Sequence, residues 1–165
     1  MPMRFAGKLV LAAAAGLGLG VAVTVAVRSA DRLPPLTPER LAASRRLWES
    51  RGIASYDLDL VVSGTGLDPG TIRLEVRGGT VARAERDSIP MTGEVASYAV
   101  PGLFQSLERE CELAGHPETA GAPPGYRVYL QGRFDPELGY PLRFRRVIGG
   151  ANRVVEMRVA RFARR

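Results

Sequence analysis

Residues 9–27 read LVLAAAAGLGLGVAVTVAV, with no charge and only Thr24 polar. No other feature constrains the chain as strongly. A helix on a protein core is apolar along one stripe, whereas this run is apolar all round. At about 1.5 Å of rise per residue, its 19 residues just span a hydrocarbon layer roughly 30 Å thick. Gly16, Gly18 and Gly20 lower helix propensity, yet glycine is frequent in membrane helices. Arg4 and Lys8 precede the run, and a positive stretch before an apolar one is the pattern of export.

Two observations favour retention over cleavage. The run exceeds the roughly 7–15 residues usual for the apolar part of a signal peptide. Arg28-Ser29-Ala30 also puts a large cation where a signal peptidase needs a small residue. The expectation is a cytoplasmic stretch over 1–8, a signal-anchor helix over 9–27, a Pro-containing linker over 28–37 and an extracytoplasmic domain over 38–165. The protein is then a single-pass membrane protein with its N-terminus inside; secretion after cleavage is the alternative. Arg28, Arg32, Arg40, Arg45 and Arg46 follow the run and argue against export on charge alone. Long domains, however, translocate largely regardless of charge.

The net charge of +6 comes from 23 basic and 17 acidic residues, and every basic residue except Lys8 is arginine. From residue 38 onward, 19 arginines face 16 acids. Nucleic-acid binding wants a dense one-sided basic stripe, so no nucleic-acid partner is expected. There is one cysteine, Cys111, and one histidine, His116. That excludes an intrachain disulfide and a multi-cysteine metal site, and no cofactor is implied.

Periodicity organises the rest. Thr37-Pro38-Glu39 announces a helix over 38–51 through an N-cap, a first-turn proline and an acid at the positive dipole end. Alternation predicts strands over 56–62, 71–77 and 80–86, with Gly78-Gly79 as a two-residue hairpin. A loop over 87–96 leads to a second helix over 101–114, whose stripe is Val100, Leu103, Phe104, Leu107, Cys111 and Ala114. Strands over 126–133, 140–148 and 153–162 complete the chain. The expected fold class is α+β: an antiparallel sheet of about six strands in α-β-β-β-α-β-β-β order, with two helices on one face, besides the N-terminal membrane helix. The order also hints at a duplicated α-β-β-β unit.

Leu47-Trp48-Glu49-Ser50 with Ala54-Ser55-Tyr56-Asp57, then Val76-Arg77-Gly78-Gly79-Thr80-Val81, Leu103-Phe104 and Phe134-Asp135-Pro136-Glu137-Leu138-Gly139-Tyr140-Pro141, resemble the bacterial family catalogued as domain of unknown function 6174. The resemblance covers about residues 41–162. It implies an exported or lipid-anchored protein with no assigned activity and no site residues to carry over. Many members carry closely spaced cysteines after the first strand, where this chain reads Val62-Ser63-Gly64-Thr65-Gly66.

No catalytic set is recognisable, so each candidate is weighed against a structural role. Trp48 and Tyr56 make either an aromatic ligand pocket or a core pair, with Tyr56 reaching a hydrogen-bond partner. Asp57 and Asp59 share a strand face and serve either acid–base work or ion pairs with Arg73 or Arg77. Cys111, in the apolar stripe, is more a buried thiol than a nucleophile. A Cys111–His116 dyad has poor spacing, since five residues on a helix point the two apart. Asp135 and Glu137 beside Gly139 either bind a cation or a partner, or shape a turn. From residue 127 onward, 10 arginines face three acids. Arg143, Arg145 and Arg158 alternate onto the presumed open sheet face, the best functional candidate. It suits an anionic lipid headgroup, a cell-wall polyanion or an acidic envelope protein. The reading is a non-enzymatic binding or scaffolding module of the envelope; the alternative is an envelope enzyme of unrecognised type.

Overall fold

The computed structural model describes residues 33–66, 68–116, 125–151 and 153–165. The expected membrane helix over 9–27 lies outside them. No helix among the described residues is long and apolar enough to cross a membrane.

Helix α1 (Pro38–Ser50) begins as its sequence signals require. Thr37 is extended, its hydroxyl accepts the Arg40 amide at 3.3 Å, and Pro38 fills the first position, where no N–H is needed. Leu41 and Trp48, seven residues apart, share the face turned to the sheet, and both are buried. Strands β1 (Tyr56–Gly64), β2 (Gly70–Arg77) and β3 (Thr80–Arg86) follow as a meander. Its second turn, Gly78-Gly79, has both φ angles positive, +57° and +81°, as a twisted two-residue hairpin needs.

The loop expected over 87–96 holds a further strand. Asp87 and Ser88 turn the chain with positive φ, and β4 (Ile89–Pro90) pairs with β3. Two residues and a proline make weak periodic signal, and Pro90 stops further pairing at this edge. A short 3₁₀ turn (Ala96–Tyr98) leads to helix α2 (Val100–Ala114). Strands β5 (Val128–Phe134), β6 (Pro141–Ile148) and β7 (Arg153–Arg164) end the chain.

The sheet therefore has seven strands rather than six, in the order β4-β3-β2-β1-β7-β6-β5, antiparallel throughout. Both helices lie on one face, as the alternation demands. Leu58, Leu60, Ile72, Leu74 and Val76 pack there beneath Leu41, Trp48, Val100, Leu103, Phe104 and Leu107. Burying each such side chain is worth about 1.5–3 kcal/mol.

The hinted duplication does not survive the topology. Both meanders advance across the sheet in the same lateral sense, yet β5 runs opposite to β1. A half-turn about the sheet normal would reverse both properties together, so no rotation that keeps the helices on one face superimposes the halves.

The stretch expected as linker ends inside the domain. Leu36 N–H donates to Leu130 O at 2.9 Å and Gly132 N–H to Pro34 O at 3.0 Å, so residues 33–36 cover the outer edge of β5. Leu33 and Leu36 are buried. Gly132 leaves room for this cover, since a Cβ there would lie 3.2 Å from Leu36 Cδ1.

Candidate functional site

Most sequence candidates resolve into architecture. Trp48 meets Tyr56 edge-on at 5.5 Å and Phe162 at 5.9 Å, and Tyr140 stacks on Phe162 at 4.3 Å. These rings fill the space beneath α1; Trp48 and Tyr56 are 5% and 2% exposed, which leaves no ligand pocket between them. The Tyr56 hydroxyl accepts the Val100 amide at the start of α2, at 2.9 Å. Burial raises its pKa, against the effect of that hydrogen bond.

Gly139 has φ +84°, the left-handed value expected of it. It also stands against α1: a Cβ there would collide with the Ser44 carbonyl and lie 2.8 Å from the Trp48 nitrogen. Asp135 Oδ1 accepts the amides of Glu137 at 3.0 Å and Leu138 at 2.8 Å. The carboxylate is spent on its own turn. Among the described residues no three His, Cys, Asp or Glu side chains gather to hold a metal. Cys111 is half-buried between the helices. Burial, then Glu110, Glu108 and Glu112, push its thiol pKa up, the reverse of what a nucleophile needs.

The face opposite the helices divides in two. On β1–β3, four acids interlock with Arg73, Arg77 and Arg83, and with Arg165 beyond β7. Asp57 Oδ1 pairs with Arg77 at 2.9 Å and its Oδ2 with Arg165 Nε at 2.8 Å. Asp59 pairs with Arg73 at 3.4 Å, and Glu85 with Arg83 Nε at 3.0 Å. The hydrogen bond from Arg165, with Arg77 beside it, holds the Asp57 carboxyl below the usual aspartate range. Both aspartates are thus engaged by arginines in a cross-strand lattice, as the ion-pair alternative expected. At Asp57 a proton shuttle would need the opposite shift.

The other half is unbalanced. Of the eight arginines on β5–β7, the register puts five on this face, Arg133, Arg143, Arg145, Arg158 and Arg161, with one acid, Glu156. The register sets Arg133 directly opposite Arg143, and Arg143 directly opposite Arg158. Three adjacent strands, about 4.8 Å apart, thus hold three arginines in one row. In the next row Arg145 faces Glu156. Glu156 instead reaches diagonally to Arg143 Nε at 2.8 Å. Arg145 Nε is buried without a hydrogen-bond partner, and exposed Arg158 makes no ion pair, both among the described residues. Arg146 points the other way and pairs with Glu110 of α2 at 3.2 Å.

All three predicted surface residues, Arg143, Arg145 and Arg158, thus come together on one face. Arg133 was missed, because alternation within one strand says nothing about which residue stands across from it. At the edge it also lines a groove of about 360 Å³ with Arg40 and Ser44 of α1. The geometry defines an α+β domain with one charged sheet face on which acids and arginines are unevenly distributed. No family model, curated protein or solved structure matches the chain.

Proposed function

We propose that this protein is a non-enzymatic binding or scaffolding module of the bacterial envelope, in line with the family its motifs resemble. Its apolar segment over residues 9–27 anchors it in the cell membrane, N-terminus inside and domain outside. The arginine half of its open sheet face binds an anionic envelope component. The observation that carries this reading is the row Arg133–Arg143–Arg158. Like charges directly opposite on neighbouring strands weaken a sheet, and an unpartnered buried Arg145 Nε adds to the cost. An anion on this face relieves both. The ion pairs of Asp57 and Asp59, with the lowered pKa of Asp57, speak against the enzyme alternative built on them.

The test is photocrosslinking in intact cells from Gln131, which lies opposite Arg145 on β5, and from Arg83 on the neutral half. Adducts are expected from Gln131 and not from Arg83, and Arg143→Glu with Arg145→Glu should abolish them. Adducts retained in that variant would remove the sheet-face reading.

A further inference from the structure

We infer that the arginine row docks onto the anionic headgroups of the membrane that holds the chain, so that the domain lies sheet face down. This rests on the anchored reading above and adds the identity of the occupant.

The chain joins the domain beside its arginine half. Leu33 begins the segment that covers β5, the outer strand of the arginine half. Residues 33–36 run antiparallel to β5, with Leu36 beside Leu130 and Pro34 beside Gly132. Leu33 therefore stands at the level of Arg133, at the end of the arginine row. Only residues 28–32 separate Val27 from Leu33, a reach of at most about 20 Å at 3.3–3.6 Å per residue. From Arg133 to Arg158 the row crosses two strand spacings, about 10 Å. A tether this short keeps the row beside the interface and leaves the outer strands of the neutral half, β2 and β3, farther away.

Headgroup phosphates offer closely spaced anions, and guanidinium groups bind phosphate oxygens in bidentate fashion. The face has a matching apolar and aromatic margin. Tyr129, 52% exposed, stands opposite Val147, which stands opposite Val154. Tyrosine beside arginine is the composition of a membrane–water interface. The helices cover only the other face, so lipid meets no obstacle among the described residues.

The experiment uses the full chain in vesicles, with Cys111→Ser and an environment-sensitive fluorophore on Ser63→Cys. Ser63 is exposed on the open face opposite Glu156. Headgroup nitroxides should quench the probe in phosphatidylcholine vesicles containing phosphatidylglycerol, and not in phosphatidylcholine alone. High salt should release it. Each basic residue near an anionic surface contributes about fivefold in the docked-to-undocked ratio, so Arg143→Glu with Arg158→Glu should abolish quenching. Arg46→Glu with Arg109→Glu makes the same charge change on the helices and should leave quenching in place, with both variants checked for an unchanged unfolding midpoint. Equal quenching in both lipids, or quenching retained in the sheet-face variant, overturns the inference. Flotation separates the two readings. A chain that fails to float with neutral vesicles refutes the anchor, whereas one that floats without lipid-dependent quenching refutes only the docking.

Discussion

Arg143 and Arg158 stand directly opposite one another on β6 and β7, and Glu156 pairs with Arg143 at 2.8 Å, leaving Arg158 without an ion pair among the described residues. Like charges in that position cost stability of roughly 0.2–1 kcal/mol. Arg158→Gln should therefore leave the protein unchanged or up to about 1 kcal/mol more stable, measured by urea unfolding. A clear loss of stability would show that Arg158 serves the fold.

The Tyr56–Val100 hydrogen bond joins β1 to the first turn of α2. Tyr56→Phe keeps the ring packing against Trp48 and Phe162 but strands the buried Val100 N–H. A buried donor left unsatisfied costs about 1–3 kcal/mol. The same unfolding measurement reads it, and an unchanged midpoint would show that water replaces the hydroxyl.

Gly139 and Gly78 separate two effects of a methyl group. Both have positive φ, +84° and +57°, where an L-residue costs about 1–2 kcal/mol. A Cβ on Gly78 meets nothing within 4 Å, whereas one on Gly139 strikes the backbone of α1. Gly139→Ala should be the more damaging by a wide margin, because α1 must lift. Equal losses would mean that the helix yields without cost.

The Asp57 carboxyl is held below its ordinary range by Arg165 and Arg77. A lowered carboxylate pKa adds stability that is present above the unfolded value, about 4, and lost as pH falls through the folded value. Wild type should therefore exceed Asp57→Asn in stability at neutral pH, and the gap should close below about pH 4. A gap constant across that range would show that the pairs with Arg77 and Arg165 contribute nothing.

Cys111 should resist alkylation at neutral pH, reacting more slowly than free cysteine, because burial and three glutamates keep its thiol protonated. Timed labelling followed by mass measurement checks this. Rapid labelling at pH 7 would reopen a reactive role.

Much of the architecture was legible from local rules. Thr37-Pro38-Glu39 opened a helix where expected, since capping involves only residues within one turn. The alternation of Tyr56, Leu58 and Leu60 with Asp57 and Asp59 told core from open face, since strand side chains alternate by geometry. The strand Ile89–Pro90 was not legible, being too short for any period. Nor was the docking of residues 33–36 on β5, where a proline pair signals extension but not what it lies against.

By itself the sequence determined both helices, six of the seven strands and the face their side chains take, because these follow from backbone periodicity and neighbours in the chain. Only the tertiary structure decided that β7 lies beside β1, that Gly139 touches α1, and that Arg133, Arg143 and Arg158 form one row. Those relations depend on strand order and register, set by the packing of segments far apart in the chain. The same arginines spaced along one extended chain would be a composition; pairing three strands turns them into a surface.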